Sequence, residues 1–163
     1  MTQPAPPLSR RRALLAAAVL PLAGWHVLGR AADAVLPPSV SLQQEIALAL
    51  RMRKALVVMV SLHGCPFCRV VRDNFLIHLL RDEGQPVVQV NMQSGLALVG
   101  ADGRATTHGA QVVAWKVAAA PTLLFLGPGG RELAPRLVGA SIPDFYGAYL
   151  DERVLAANRA IAS

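Results

Sequence analysis

Cysteine is scarce in this chain: its 163 residues include only two, Cys65 and Cys68. Two cysteines cannot build the disulfide framework of a small secreted scaffold, and they are too few for a closed four-thiolate zinc site. A chain of this length buries roughly two thirds of its unfolded surface, so it can form a core without metals or cross-links. Any thiol chemistry therefore depends on this one pair.

Charged side chains are also few, at 16% of the chain against 53% hydrophobic residues. That balance excludes an intrinsically disordered chain and indicates one compact domain. The net charge is +6, but four arginines and one aspartate fall within residues 1–34, which leaves twelve basic and nine acidic side chains beyond them. The remaining excess of +3 does not indicate a nucleic-acid partner, and we expect none.

The chain also lacks a long apolar run of the kind that spans membranes. The uncharged apolar stretch near the N-terminus, residues 13–29, has 17 residues and is interrupted by Pro21, which is at the short limit for a spanning helix. It follows three arginines at positions 10–12 and precedes small residues at 32–34, which is the layout of a signal peptide. We therefore expect residues 1–34 to be a cleaved signal peptide, with an uncleaved membrane anchor as the alternative. No cysteine lies near the cleavage region, which excludes a lipid-anchored lipoprotein.

The arginines also resemble one particular export signal. The run that is similar to the twin-arginine motif is Arg11-Arg12-Ala13-Leu14-Leu15. The general Sec route is the alternative. Cleavage after Ala34 would leave residues 35–163 outside the cytoplasm, in an oxidising compartment.

The segment after the predicted signal peptide is expected to be a short linker. Residues 35–40 contain Pro37-Pro38 and precede a domain that we place at residues 41–163. Ser41 and Gln44 form a capping box, which marks the start of the domain's first helix.

Strand and helix patterns alternate through the rest of the domain. A Val-rich run at 55–62 is typical of a strand buried on both faces, and a helical repeat at 67–80 and a second strand at 86–92 follow it. A strand–helix–strand crossover pairs its strands in parallel. In the second half, the patterns predict a hairpin at 96–106, a helix at 109–117, strands at 122–126 and 133–138, and a last helix capped by Ser141 and Asp144.

The two cysteines fall where the first of these strands gives way to a helix. A C-x-x-C pair has the parts for thiol–disulfide exchange, which needs one thiolate to attack and a second thiol to release it. With Cys65 as the N-cap and Pro66 as the first helical residue, the free N–H groups of Phe67 and Cys68 favour a thiolate at Cys65. His63 either stabilises that thiolate as an imidazolium or is a solvated loop residue.

Two motifs together resemble the thioredoxin superfamily. They are Val57-Val58-Met59-Val60 followed by His63-Gly64-Cys65-Pro66-Phe67-Cys68, and Trp115-Lys116-Val117-Ala118-Ala119-Ala120-Pro121-Thr122-Leu123-Leu124-Phe125. The resemblance covers nearly all of residues 35–163. It implies an α/β, thioredoxin-like fold with a central mixed β-sheet flanked by helices. Within the superfamily, the chain is most similar to the periplasmic SoxW-type thioredoxin-related proteins.

The resemblance also implies roles for individual residues. Cys65 would be the nucleophile and Cys68 the resolving thiol. The Ala120-Pro121 bond would be cis and face the cysteine pair, and the backbone of Ala120 would pair with a substrate strand. His63, Pro66 and Phe67 would modulate the pair.

The implied activity is that of an exported oxidoreductase. It would reduce disulfides of partner proteins in the periplasm, receive electrons from a membrane thiol-reducing donor, act as a monomer and use no cofactor or metal. Thioredoxins proper have Trp, a buried Asp and a Lys where this chain has Gly64, Met59 and Gln89. The usual proton acceptor for the resolving thiol is therefore absent, so another base or water must replace it.

A metal site is the competing interpretation of the cysteine pair. Cys65 and Cys68 would then be two ligands of a copper- or zinc-delivery module, completed by His63, His78 or His108. The exported copper chaperones with this fold usually carry three residues between their cysteines, whereas this chain has two. His78 and His108 are otherwise expected at the surface or in helix caps, and Trp115 in the core.

Overall fold

A computed structural model of the chain describes residues 1–2, 35–140 and 143–163. Most of the predicted signal peptide, including the arginines at 10–12, lies outside the described residues, as does the predicted cap Ser141. Within the described ranges, none of the helices combines the length and the apolar character that crossing a bilayer requires.

The first half of the domain alternates helices and strands in the predicted order. Its elements are α1 (Leu42–Arg51), β1 (Leu56–Ser61), α2 (Pro66–Val71), a π-helical turn (Arg72–Leu76), α3 (Ile77–Arg81) and β2 (Val87–Asn91). Ser41 caps α1 by accepting a hydrogen bond from the Gln44 backbone, as predicted. The helix predicted at 67–80 is one continuous helical run, because α2, the π turn and α3 follow without a break.

The second half also follows the predicted order, with one shortened strand. Its elements are β3 (Ala97–Val99), β4 (Ala105–Thr107), α4 (His108–Ala114), β5 (Thr122–Leu126), a 3-10 turn (Pro128–Gly130), β6 (Leu137–Val138) and α5 (Pro143–Ala162). The prediction of a strand over 133–138 is wrong at its start, since β6 has only two residues. Pro135 lies in the lost part and has no N–H to donate to a sheet.

The four-stranded sheet has the order β2-β1-β5-β6. β1 pairs in parallel with β2 and antiparallel with β5, so the sheet is mixed, as predicted. Every residue of β1 is buried, which explains why this strand is a continuous apolar run. The chain leaves the sheet at Ser61, and the loop that follows leads to the cysteine pair at the start of α2.

Residues 35–40 are packed onto the domain, so their prediction as a linker is wrong. Leu36 is only 1% exposed and belongs to the core. The backbone N–H of Ser39 donates to the Gln89 carbonyl at 2.8 Å, and the Gln89 N–H donates to the Pro37 carbonyl at 2.9 Å. Pro38 is tolerated because both sheet-type hydrogen bonds use its neighbours rather than its own nitrogen.

His108 is buried, at 1% exposure, and Thr107 is the N-cap of α4, so the expectation that His108 is a surface or capping residue is wrong. Its Nδ1 accepts a hydrogen bond from the Asn91 backbone N–H at 3.0 Å. The other ring nitrogen, Nε2, must then carry the proton, and it donates to the Ser39 carbonyl at 2.7 Å. The ring therefore joins α4 to the end of β2 and to the N-terminal segment.

Candidate active site

The cysteine pair lies where β1 leads into α2. Cys65 is the N-cap of α2, and Pro66 occupies the first turn, as the sequence predicted. Gly64, directly before the cap, has a φ of +73°, a left-handed conformation that glycine adopts without strain. The Cys68 backbone N–H donates to the Cys65 Sγ at 3.1 Å. A hydrogen-bond donor at that distance stabilises negative charge on the Cys65 sulfur.

The two sulfurs differ in their access to solvent. Cys65 is half-buried, whereas Cys68 is only 2% exposed. Burial raises the pKa of the Cys68 thiol, and its hydrogen bond with Cys65 raises the pKa further. Hydrogen bonds from the Leu62 backbone and the Ser61 side chain offset part of this rise. Cys68 therefore holds its proton more tightly than an ordinary cysteine does.

The Ala120-Pro121 peptide bond faces Cys65 and is cis, which confirms the predicted isomer. The Cys65 Sγ lies 3.9 Å from the Ala120 carbonyl oxygen, a weak contact for a thiol donor. The hydroxyl of Thr122, the first residue of β5, donates to the Ala119 carbonyl at 2.8 Å. This hydrogen bond fixes the turn that contains the cis bond. The loop before β5 and the nucleophile candidate are thus in direct contact.

Apolar side chains surround the cysteine pair on the outside. Phe67, between the two cysteines, is 62% exposed, and Leu62 and Val70 are also exposed. Pro66 and His63 lie at the surface as well. Exposed apolar groups around a reactive residue are typical of a surface that contacts another molecule.

Two of the three histidines proposed as further metal ligands, His78 and His108, have hydrogen-bond partners elsewhere in the fold. His78 lies on α3 and contacts the Asp82 carboxylate at 2.9 Å, and both nitrogens of His108 bond to backbone atoms. Over the described ranges, no three His, Cys, Asp or Glu side chains are arranged to hold a metal ion. Trp115 is half-buried against the core on the far side of the sheet.

An open cavity of about 630 Å³ adjoins the cysteine pair, and the sequence did not predict it. Two separate parts of the chain line it: residues between Ser61 and Arg72 around the cysteines, and residues between Gln89 and Ser94 at the end of β2 and just after it. Segments so far apart leave no motif with fixed spacing. The only local signal is the small Ser61 at the end of an otherwise apolar strand.

Comparison with known proteins places the fold but not the family. No family model and no curated protein sequence matches the chain. Among solved structures, it is similar to a DsbH oxidoreductase with a TM-score of 0.50 and 17% identity, over 78% of this chain and 88% of the other. The periplasmic thioredoxin SoxS of Paracoccus pantotrophus matches with a TM-score of 0.44 and 23% identity, over 64% and 99%. A thioredoxin of Thermus thermophilus matches with a TM-score of 0.47 and 22% identity, over 73% and 85%.

The protein has a thioredoxin-like fold, which confirms the predicted fold class. Within that fold it carries a C-x-x-C pair, Cys65 and Cys68, at the start of α2 and opposite a cis-proline. The SoxW-type likeness stays a prediction.

Proposed function

We propose that the protein is a thiol–disulfide oxidoreductase that reduces disulfides of partner proteins. The observation that carries this proposal is the placement of Cys65: it is only partly buried, its sulfur accepts the Cys68 N–H at 3.1 Å, and a buried second thiol lies behind it. The Cys65 thiolate attacks one sulfur of the substrate disulfide, which releases the other substrate sulfur as a thiolate. Cys68 then attacks the Cys65 sulfur, so the enzyme ends as a disulfide and the substrate as a dithiol.

The surroundings of Cys65 suit an extended protein substrate. An incoming strand can hydrogen-bond to the backbone of Ala120, and the small side chain there leaves room for it. Exposed Phe67 and Val70 would contact apolar side chains of the same substrate. A membrane thiol-reducing protein would return two electrons to the Cys65–Cys68 disulfide, and the enzyme would act as a monomer.

The proton of Cys68 needs an acceptor other than the buried carboxylate of thioredoxins. Met59, which has that place on β1, is fully buried and cannot accept a proton. Cys68 also lines the open cavity, so water there can reach its thiol. We propose that water accepts this proton when Cys68 attacks.

Insulin reduction tests the proposed activity. The protein should accelerate the dithiothreitol-driven precipitation of insulin, because Cys65 exchanges with exposed disulfides faster than the free reagent does. Cys65→Ala should return the rate to that of dithiothreitol alone, whereas the surface variant His78→Ala should match the unchanged protein. A protein that is no faster than dithiothreitol but retains stoichiometric zinc or copper under reducing conditions would instead be a metal-delivery module.

We also propose that the protein is exported to the periplasm through its paired arginines. Changing the arginines at 10–12 to lysine keeps the positive charge but removes the guanidinium groups that a twin-arginine receptor would recognise. We expect that variant to remain inside the cell, while Arg30→Lys in the same segment is exported and cleaved after Ala34. Unchanged export of the triple variant would assign the protein to the Sec route, and fractionation with N-terminal mass spectrometry distinguishes the two.

A further inference from the structure

The cavity beside the cysteines lies on the β2 side of the pair, away from the strand-pairing loop. Its walls include both cysteines but neither Ala120 nor Pro121. A protein substrate that pairs with Ala120 therefore leaves this cavity for another use. Its volume, about 630 Å³, falls within the usual range for small-molecule sites.

The charges at the cavity are positive. Arg69 and Arg72 line it, and no aspartate or glutamate does. The Arg72 Nε is paired with the Asp73 carboxylate at 2.8 Å, whereas Arg69 is an exposed guanidinium with no ion pair in the described part of the chain. A carboxylate that enters here would meet a charge-assisted hydrogen-bond donor at Arg69.

The wall on the β2 side consists of amides and a hydroxyl, with Met92 as its apolar side chain. Gln89, Asn91, Gln93 and Ser94 supply the polar groups, and Ser61 closes the end next to Cys68. The Gln89 Nε2 donates to the Asn91 side-chain oxygen at 2.6 Å. The Gln89 Oε1 is buried and has no hydrogen-bond partner among the described residues. This wall suits a ligand with peptide groups, because side-chain amides and hydroxyls both donate and accept hydrogen bonds.

We propose that the cavity binds low-molecular-weight disulfides that carry carboxylates and peptide groups, and that the cysteine pair reduces them there. The inference rests on the proposed thiol–disulfide exchange and adds a second substrate class to it. Cys65 and Cys68 both belong to the wall, and Cys65 is the more exposed of the two, so a bound disulfide lies beside the nucleophile. Arg69 would hold the carboxylate, and the amides on β2 would contact the peptide groups.

The reaction needs no component beyond the two cysteines and the disulfide. The Cys65 thiolate attacks one sulfur of the small disulfide, forming a mixed disulfide and releasing one small thiolate. Cys68 attacks the Cys65 sulfur and releases the second. Two electrons pass from the protein dithiol to the small molecule, and the Cys65–Cys68 disulfide that remains is reduced by the same dithiol donor as before.

The test compares three small disulfides of different charge. Reduced protein is mixed with glutathione disulfide, which is anionic, with bis(2-hydroxyethyl) disulfide, which is neutral, or with cystamine, which is cationic. Acid quenching and alkylation then give the rate at which the cysteine pair is oxidised. Each rate is divided by the rate with the neutral disulfide, so that differences in thiolate reactivity between variants cancel.

Two substitutions change the charge of the cavity without changing its shape much. Arg69→Gln should lower the anionic-to-neutral ratio about fivefold, because an exposed charge pair contributes roughly that factor. Gln93→Glu is nearly isosteric and exposed, and it should lower the same ratio while raising the cationic-to-neutral ratio. Arg51→Gln, on α1 and outside the cavity wall, removes the same charge and should leave both ratios unchanged. The effect in Arg69→Gln should shrink as salt is added.

The possible results separate this proposal from the one before it. Ratios that stay constant in Arg69→Gln and Gln93→Glu, or that fall equally in Arg51→Gln, would overturn the cavity proposal alone, provided that insulin and the neutral disulfide are still reduced. Failure to reduce insulin and all three small disulfides would overturn the proposed oxidoreductase itself.

Discussion

Cys68→Ala should accumulate covalent adducts with substrate proteins, because it removes the thiol that resolves them. In this variant Cys65 keeps its place as the N-cap of α2, and the hydrogen bond to its sulfur comes from the backbone N–H of residue 68, which alanine retains. The first exchange step therefore proceeds, but the mixed disulfide has no neighbouring thiol to attack it. Expression in the exporting cell and nonreducing gels should show bands that dithiothreitol removes.

Cys65→Ala is the matched control and should trap nothing. Its remaining thiol, Cys68, is 2% exposed, and burial raises its pKa, so it is both shielded and protonated. Alkylation of the reduced protein should likewise label Cys65 first. Equal adduct formation by the two variants, or none with Cys68→Ala, would contradict the assignment of nucleophile and resolving thiol. Mass spectrometry of the adducts identifies the partner proteins in the same experiment.

The sequence predicted those features of the site that depend only on neighbouring residues in the chain. The cap at Cys65, Pro66 in the first turn and the two-residue spacing all follow from the start of one helix. The cis bond at Pro121 followed from the family resemblance instead, since most bonds before proline are trans. The features at the start of the helix depend on few neighbours, so they are visible in a single sequence, whereas the cis bond is not.

The features that the sequence missed depend on partners far along the chain. Pro37 and Ser39 pair with Gln89, and neither segment alone shows that the other will satisfy its backbone. The proline pair therefore looked like a linker. The cavity was missed for the same reason, because strand β2 and the loop after it meet the cysteines only through the parallel pairing of β1 with β2.

The cysteine pair separates two surfaces of different chemistry. On one side, Cys65 contacts the Ala120 carbonyl beside exposed Phe67, which suits a protein strand. On the other side, the pair opens into a polar cavity with an exposed Arg69. Both surfaces reach the same sulfur, so a bound small disulfide and a protein substrate would compete for one nucleophile.

His108→Ala should lower the free energy of unfolding by about 3 kcal/mol, because it leaves two backbone groups without partners in a buried site. The ring accepts from the Asn91 N–H and donates to the Ser39 carbonyl, and alanine can do neither. The N-terminal segment should loosen as well, so amides near Ser39 should exchange faster with solvent. Urea unfolding of the reduced protein at pH 7 measures the loss.

His78→Ala is the matched control for this prediction. His78 is exposed and contacts only the Asp82 carboxylate on its own helix, so its removal should cost no more than about 0.5 kcal/mol. His108→Gln should fall between the two, because an amide can keep one of the two hydrogen bonds but not both at the ring's spacing. If His108→Ala unfolds at the same urea concentration as His78→Ala, the buried imidazole does not hold the N-terminal segment to β2. The segment from 35 to 40 would then be attached through its backbone pairing with Gln89 and the burial of Leu36 alone.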